Sequence, residues 1–145
     1  MAHTAEAVKK SRPGENMRLI DALGYRLPLA GVVSILHRVS GLVMFVLLPF
    51  VIWMFDTSLT SEISYSQFAS VFRSGTGLLP GWFYKLVALA LIWAYLHHLI
   101  AGLRHLLMDV SHSAVTKEFG RQSAVFTLAA SLLLTVALGI KLFFF

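Results

Sequence analysis

Three long apolar runs constrain this chain more than any other feature. They extend roughly from Leu29 to Phe55, from Trp82 to Leu107 and from Ala124 to Phe145. Each exceeds the roughly 20 residues that a helix needs to cross the hydrocarbon core of a bilayer. The chain is therefore expected to be all-α and integral to a membrane, with three transmembrane helices in a domain over 29–145 and a short N-terminal arm over 1–28. Composition points the same way. Of 145 residues, 57% are hydrophobic and only 13% charged, with a mean hydropathy of +0.76, which excludes an ordinary soluble domain.

The formal net charge of +5 would invite a nucleic-acid reading in a soluble protein, but its distribution has a membrane explanation. Lys9, Lys10, Arg12, Arg18, Arg26 and Arg38 lie in the arm and the start of the first span, and Arg104, Lys117 and Arg121 flank the second connection. The other side holds only Arg73, Lys85 and Lys141. Under the positive-inside rule this asymmetry predicts a cytoplasmic N-terminus and a periplasmic C-terminus. The arm is basic and amphipathic, with Leu19, Ile20 and Leu23 able to lie on the membrane surface. It carries Glu6, Glu15 and Asp21 and lacks an apolar core before a cleavage site, so it reads neither as a secretory signal nor as a transit peptide. The first span is expected to be an uncleaved signal-anchor in a bacterial inner membrane.

Cysteine is absent, which removes disulfides, iron–sulfur clusters and thioether-linked haem. No Gly-rich phosphate loop is present either, so flavin or nucleotide chemistry belongs to another chain. In the first connection Tyr65, Phe68 and Phe72 recur at helical spacing, predicting a short interfacial helix from about Ser64 to Arg73. In the third span Thr127, Ser131, Thr135 and Gly139 fall every four residues, a ridge of small side chains of the kind that lets helices approach closely.

Two polar islands interrupt the apolar runs, and ionisable groups cost at least about 2.5–3.5 kcal/mol each at the centre of a span on insertion scales. In "SILHRVSG", Gly31, Ser34, Arg38 and Gly41 share a helix face, with His37 and Ser40 beside it. In "LHHLIAGLRHLLMD", His98 and His105 are seven residues apart and project nearly in register, with Gly102 between them and Asp109 one turn beyond. With antiparallel spans, both islands fall at one depth in the cytoplasmic half. A flat macrocycle fits this arrangement: a histidine nitrogen can ligate haem iron, a glycine one turn away leaves room for the ring, and polar groups nearer the water can receive propionates.

Plainer readings stand beside this one. His97 and His98 can be interior histidines satisfied by a carbonyl one turn back. Arg104, His105 and Asp109 can be interfacial anchors reaching to water, which is the better reading for Arg104.

At these residues the sequence resembles the cytochrome b-type membrane-anchor subunits of succinate dehydrogenase, the succinate:quinone oxidoreductase of respiratory membranes that joins the tricarboxylic acid cycle to electron transport. One signature is matched by Ser34-x-x-His37-Arg38-x-Ser40, and a longer, more specific one by His98, Gly102, Leu103, Arg104, His105, Met108 and Asp109. Arg12-Pro13 matches the start of the first signature at a longer spacing, and Ser111 stands where the family has a small apolar residue. The resemblance covers nearly the whole chain.

The resemblance implies that His98 is one axial ligand of haem b, its iron being the metal bound, with the second histidine supplied by a companion membrane subunit. It implies a ubiquinone site near the cytoplasmic face to which Ser34 and Arg38 contribute. Iron–sulfur and flavoprotein subunits would be further partners, and the isolated chain would not be an enzyme. Within that reading Ser34 can hydrogen-bond a quinone carbonyl and Arg38 can stabilise charge on the reduced ring. His37, His105 and Arg38 are candidates for the propionate vicinity, and either histidine can instead deliver protons. Four rivals remain at this stage: ligation of one iron by His37 and His98 together, the anchor of a fumarate reductase, a non-haem proton-handling anchor, and a small transporter.

Overall fold

The computed structural model describes residues 27–144, with the side chains of His112 and Ser113 left aside. The arm expected over 1–28, with its Arg12-Pro13 pair, lies outside the described residues as far as 26. The described chain is all-α. Three of its helices are long and apolar enough to cross a membrane: α1 (Leu29–Val46), α4 (Gly81–Val110) and α5 (Lys117–Phe144).

Pro28 precedes α1 in an extended conformation, and its carbonyl accepts from the amides of Gly31 and Val32 at 2.8 and 3.1 Å. A residue that cannot donate is well placed where donors have no helical acceptor. The first apolar run does not continue as one helix. It breaks at Leu47 and resumes as α2 (Leu48–Leu59), with Pro49 in the first turn of the new helix. Proline lacks the amide that would close the preceding turn and its ring crowds the carbonyl four residues back, so the run kinks there.

α3 (Glu62–Ser74) is the expected interfacial helix, two residues longer at its start and one at its end. Its first turn is closed reciprocally: the Ser64 amide donates to Ser61 Oγ at 3.1 Å, and the Ser61 amide donates to Ser64 Oγ at 2.9 Å. Phe68 meets Trp53 of α2 at 6.0 Å between ring centroids, and Phe72 meets Tyr84 of α4 at 6.4 Å. Gly75 ends α3 at φ +86°, where a Cβ would overlap the Leu79 carbonyl oxygen. The chain then turns directly into α4.

α4 is the central helix and packs against both α1 and α5, which also touch each other. Both long helices outrun their apolar segments. α4 continues to Val110, and α5 begins at Lys117, seven residues before the apolar run. The amide of Phe119 donates to Thr116 Oγ1 at 3.3 Å, and Gln122 Nε2 donates to Glu118 Oε1 at 3.2 Å, so capping and an i,i+4 pair carry the helix beyond the greasy part. Between α4 and α5 the hydroxyl ridge is used as expected: Thr127, Ser131, Thr135 and Gly139 are all buried. Ala88, Ala94 and Ala101 are buried on α4, and Leu89 lies so close to Gly139 that a Cβ there would stand 2.9 Å from its Cδ1. Small groups therefore allow the helices close approach without a directional bond at each level.

Candidate functional site

The two polar islands meet where α1 and α4 cross. The His98 ring lies on the His37 ring, with centroids 4.1 Å apart and planes inclined by 22°. His105, two turns along α4, completes a cluster of three imidazoles at 5.2 Å from His37. The seven-residue spacing on α4 thus does what it predicts, presenting both rings to the same stretch of α1.

The strongest constraint falls on His98. Its Nδ1 stands 3.1 Å from the backbone carbonyl oxygen of His37 and 3.3 Å from Ser40 Oγ. Ser40 is fully buried and already donates its hydroxyl proton to the same His37 carbonyl at 2.8 Å. Both groups therefore act as acceptors toward the imidazole, and Nδ1 is the donor. A neutral ring that donates from Nδ1 carries its lone pair on Nε2. A metal-binding histidine is commonly held this way, with one nitrogen donating to a carbonyl and the other left basic for the metal.

One glycine makes room for the cluster. A Cβ at Gly41 would come within 3.1 Å of His98 Cε1, closer than most real contacts, so the ring is fitted to this position being empty. At Gly102 a Cβ would make only an ordinary contact, with His37 Nε2 at 3.6 Å, so His37 borders the space above that glycine without filling it.

The His37 and His98 rings lie in van der Waals contact, with no gap between them. No group of three or more His, Cys, Asp or Glu side chains that could hold a metal ion occurs among the described residues.

Ser34 and Arg38 lie on α1 next to the cluster but are not part of it. Ser34 is half-buried and Arg38 exposed, and neither makes a hydrogen bond or ion pair to a described residue. Among the described residues nothing occupies either polar group. Asp109 is exposed near the end of α4.

Arg104 departs from its expected role as an anchor reaching to water. It is only 6% exposed, its Nε donates to Ser123 Oγ at 2.9 Å and its Nη2 donates to the Gly120 carbonyl at 3.3 Å. The extended first turns of α5 supply acceptors that a reading of α4 by itself lacks. His97 is also turned inward. It is 0% exposed, stacks on Trp93 at 5.6 Å and pairs Nδ1 with Ser131 Oγ at 3.2 Å, across to α5 rather than one turn back.

Comparison with known proteins agrees in kind with this geometry. Residues 18–138 match the family described as succinate dehydrogenase/fumarate reductase transmembrane subunit. The chain is similar to the succinate dehydrogenase cytochrome b556 subunit of Paracoccus denitrificans, at 30% identity over 121 residues covering 83% of this chain and 87% of the relative. The subunit of the same name from Coxiella burnetii is 31% identical over 121 residues, 83% and 91% of the two chains. That from Rickettsia felis is 27% identical over 112 residues, 77% and 78%.

Proposed function

The chain belongs to the succinate dehydrogenase/fumarate reductase transmembrane subunit family and is a multi-pass membrane anchor of succinate dehydrogenase in the bacterial inner membrane; from that premise we propose that it carries haem b through His98 and helps form the ubiquinone site. The second membrane subunit would supply the other histidine that holds the haem. The iron–sulfur and flavoprotein subunits dock on the cytoplasmic side, where the basic flanks and the arm over 1–28 lie, and the membrane domain occupies the rest of the chain.

One observation carries the reading: the His98 Nδ1 contact with the His37 carbonyl, which fixes the tautomer and leaves Nε2 basic on a half-buried ring. Residues of this chain that fit the rest of the group are His37 and His105 beside it, with Arg38 on the exposed side of α1 as a partner for a propionate. When bound, haem b supplies a one-electron carrier buried between subunits. What the chain itself does is orient and exclude. α1 holds the His98 ring through Ser40 and the His37 carbonyl, and Gly41 admits it.

For quinone, the useful groups are Ser34 and Arg38. Ser34 Oγ can donate to a quinone carbonyl, and the guanidinium, which stays charged, favours negative charge on the ring being reduced. Their position also answers the insertion cost of a cation on α1. Arg38 is nine residues, or about 14 Å, from the start of α1, and a guanidinium there is stabilised once a partner subunit, propionate or quinone covers it.

The test is the reduced-minus-oxidised visible spectrum of the purified complex with His98→Ala. Loss or marked weakening of the low-spin haem b bands is expected while the soluble subunits stay bound. An unchanged spectrum overturns the assignment.

A further inference from the structure

α4 carries two consecutive pairs of polar residues seven apart: His97 with His98, and Arg104 with His105. Neighbours on a helix point about 100° apart, and each pair divides its members between two sides. His98 and His105 face His37 on α1. His97 and Arg104 are buried against α5, on Ser131 and Ser123 respectively. Seven residues forward on α4 match eight back on α5, the register of antiparallel neighbours.

We propose that His97 and Arg104 are positioning residues: a two-point clamp onto Ser131 and Ser123 that sets the rotation of α4 about its axis and thereby aims His98 at the His37 carbonyl. The inference rests on the reading of His98 as a haem ligand only for its consequence, since the clamp is described by contacts within this chain.

The surrounding packing explains the need. Ala94, Ala101, Ala124 and Thr127 are small and buried, so the α4–α5 interface is close but smooth. Hydroxyls on the ridge mostly close on their own helix: Thr127 donates to the Ser123 carbonyl at 2.9 Å and Thr135 to the Ser131 carbonyl at 2.7 Å. Side-chain bonds that cross from α4 to α5 at the depth of the histidine cluster are those of His97 and Arg104. Their geometry is directional. Arg104 Nε–H donates to Ser123 Oγ at 2.9 Å, and Ser131 Oγ lies 3.2 Å from both His97 Nδ1 and the Leu128 carbonyl, so the hydroxyl ties the imidazole to α5 with either atom as the donor.

The arrangement also has a cost that packing does not explain. His97 Nε2 is buried and makes no hydrogen bond of good geometry to a described residue, although the His97 ring also lies close to the Val33 backbone of α1, and an atom so poorly paired forfeits part of its hydration. An apolar side chain stacked on Trp93 would avoid that cost. Retaining imidazole is accounted for by the direction it imposes, the use for which buried polar groups are best attested.

The test uses the intact complex with Ser123→Ala and Ser131→Ala combined, which removes two hydroxyls and leaves the ridge small. The cryo-EM structure is expected to show the His98 Nδ1 contact to the His37 carbonyl lost, and the low-spin haem electron paramagnetic resonance signal is expected to shift its largest g value. His97→Phe, which keeps the stack on Trp93, should reproduce the shift, and His97→Asn, whose side-chain amide can either donate to or accept from Ser131 Oγ, should restore the original signal. If the double variant keeps His98 in place, or only lowers thermal stability with the signal unchanged, the clamp is refuted. A wild-type complex without haem would defeat the cofactor assignment instead, and the coordinates would still decide the clamp.

Discussion

The backbone carbonyl of His37 accepts from the side chain of His98, sixty-one residues further along the chain, at 3.1 Å. The acceptor belongs to one membrane helix and the ring to another. The orientation of that imidazole is therefore a property of how α1 and α4 pack, and substitutions that change their approach should be read out at His98.

Gly41 is the most direct such position. A valine there would place its Cβ 3.1 Å from His98 Cε1, and the ring must turn or the helices must part. Gly41→Val is expected to retain subunit assembly but to lower haem content or shift the haem bands, measured by pyridine haemochrome and difference spectra. Normal haem content with an unaltered spectrum would show that the ring has freedom the packing denies it.

Arg38 is exposed and makes no hydrogen bond or ion pair to a described residue, so replacing it breaks no such bond among them. Arg38→Leu should depress ubiquinone reduction by at least about tenfold, equivalent to about 1.4 kcal/mol, while succinate oxidation with a soluble artificial acceptor stays largely intact. Equal loss of both activities would place Arg38 in assembly rather than in the quinone site.

A Cβ at Gly139 would stand 2.9 Å from Cδ1 of Leu89, so the tip of that side chain must turn away to admit it. Gly139→Val should force Leu89 out of its rotamer at a cost of about 0.5–1.5 kcal/mol, seen as earlier loss of the membrane subunits on heating the detergent-solubilised complex. Unaltered heat resistance would show that Leu89 can turn away there cheaply.

Topology can be tested cleanly because the chain has no cysteine. In intact spheroplasts Thr60→Cys, at the end of α2, should react with an impermeant maleimide, whereas Thr116→Cys, at the start of α5, should react only after permeabilisation. The reverse pattern would invert the orientation inferred from the basic flanks.

The arrangement of His97 and His98 shows where sequence reading stops. The spacing of His98, Gly102 and His105 on one helix face is a local property, and it places both rings on the same side without knowledge of any neighbour. Which acceptor each histidine finds is not local. His98 meets a carbonyl of α1 and His97 a serine of α5, and adjacent, chemically identical residues take different surroundings because the helix between two neighbours has two sides. Arg104 turns inward for the same reason: its acceptors, Ser123 and Gly120, exist in position only because α5 begins earlier than its apolar segment. That early start was legible in principle from Thr116 as a cap and from Glu118 with Gln122. The kink, too, had its signal in Pro49.

Hydropathy summed along the chain determined by itself that there are three membrane-crossing helices, because the bilayer acts on each segment independently of its neighbours. The same sequence located the polar islands and their shared depth, since both follow from position along a helix of known rise. Tertiary structure alone decided the rotation of α4, the tautomer of His98, the role of Gly41 as the space for its ring and the inward turn of Arg104. Those depend on the angle at which small residues let three helices close on one another, a quantity set jointly by segments far apart in the chain.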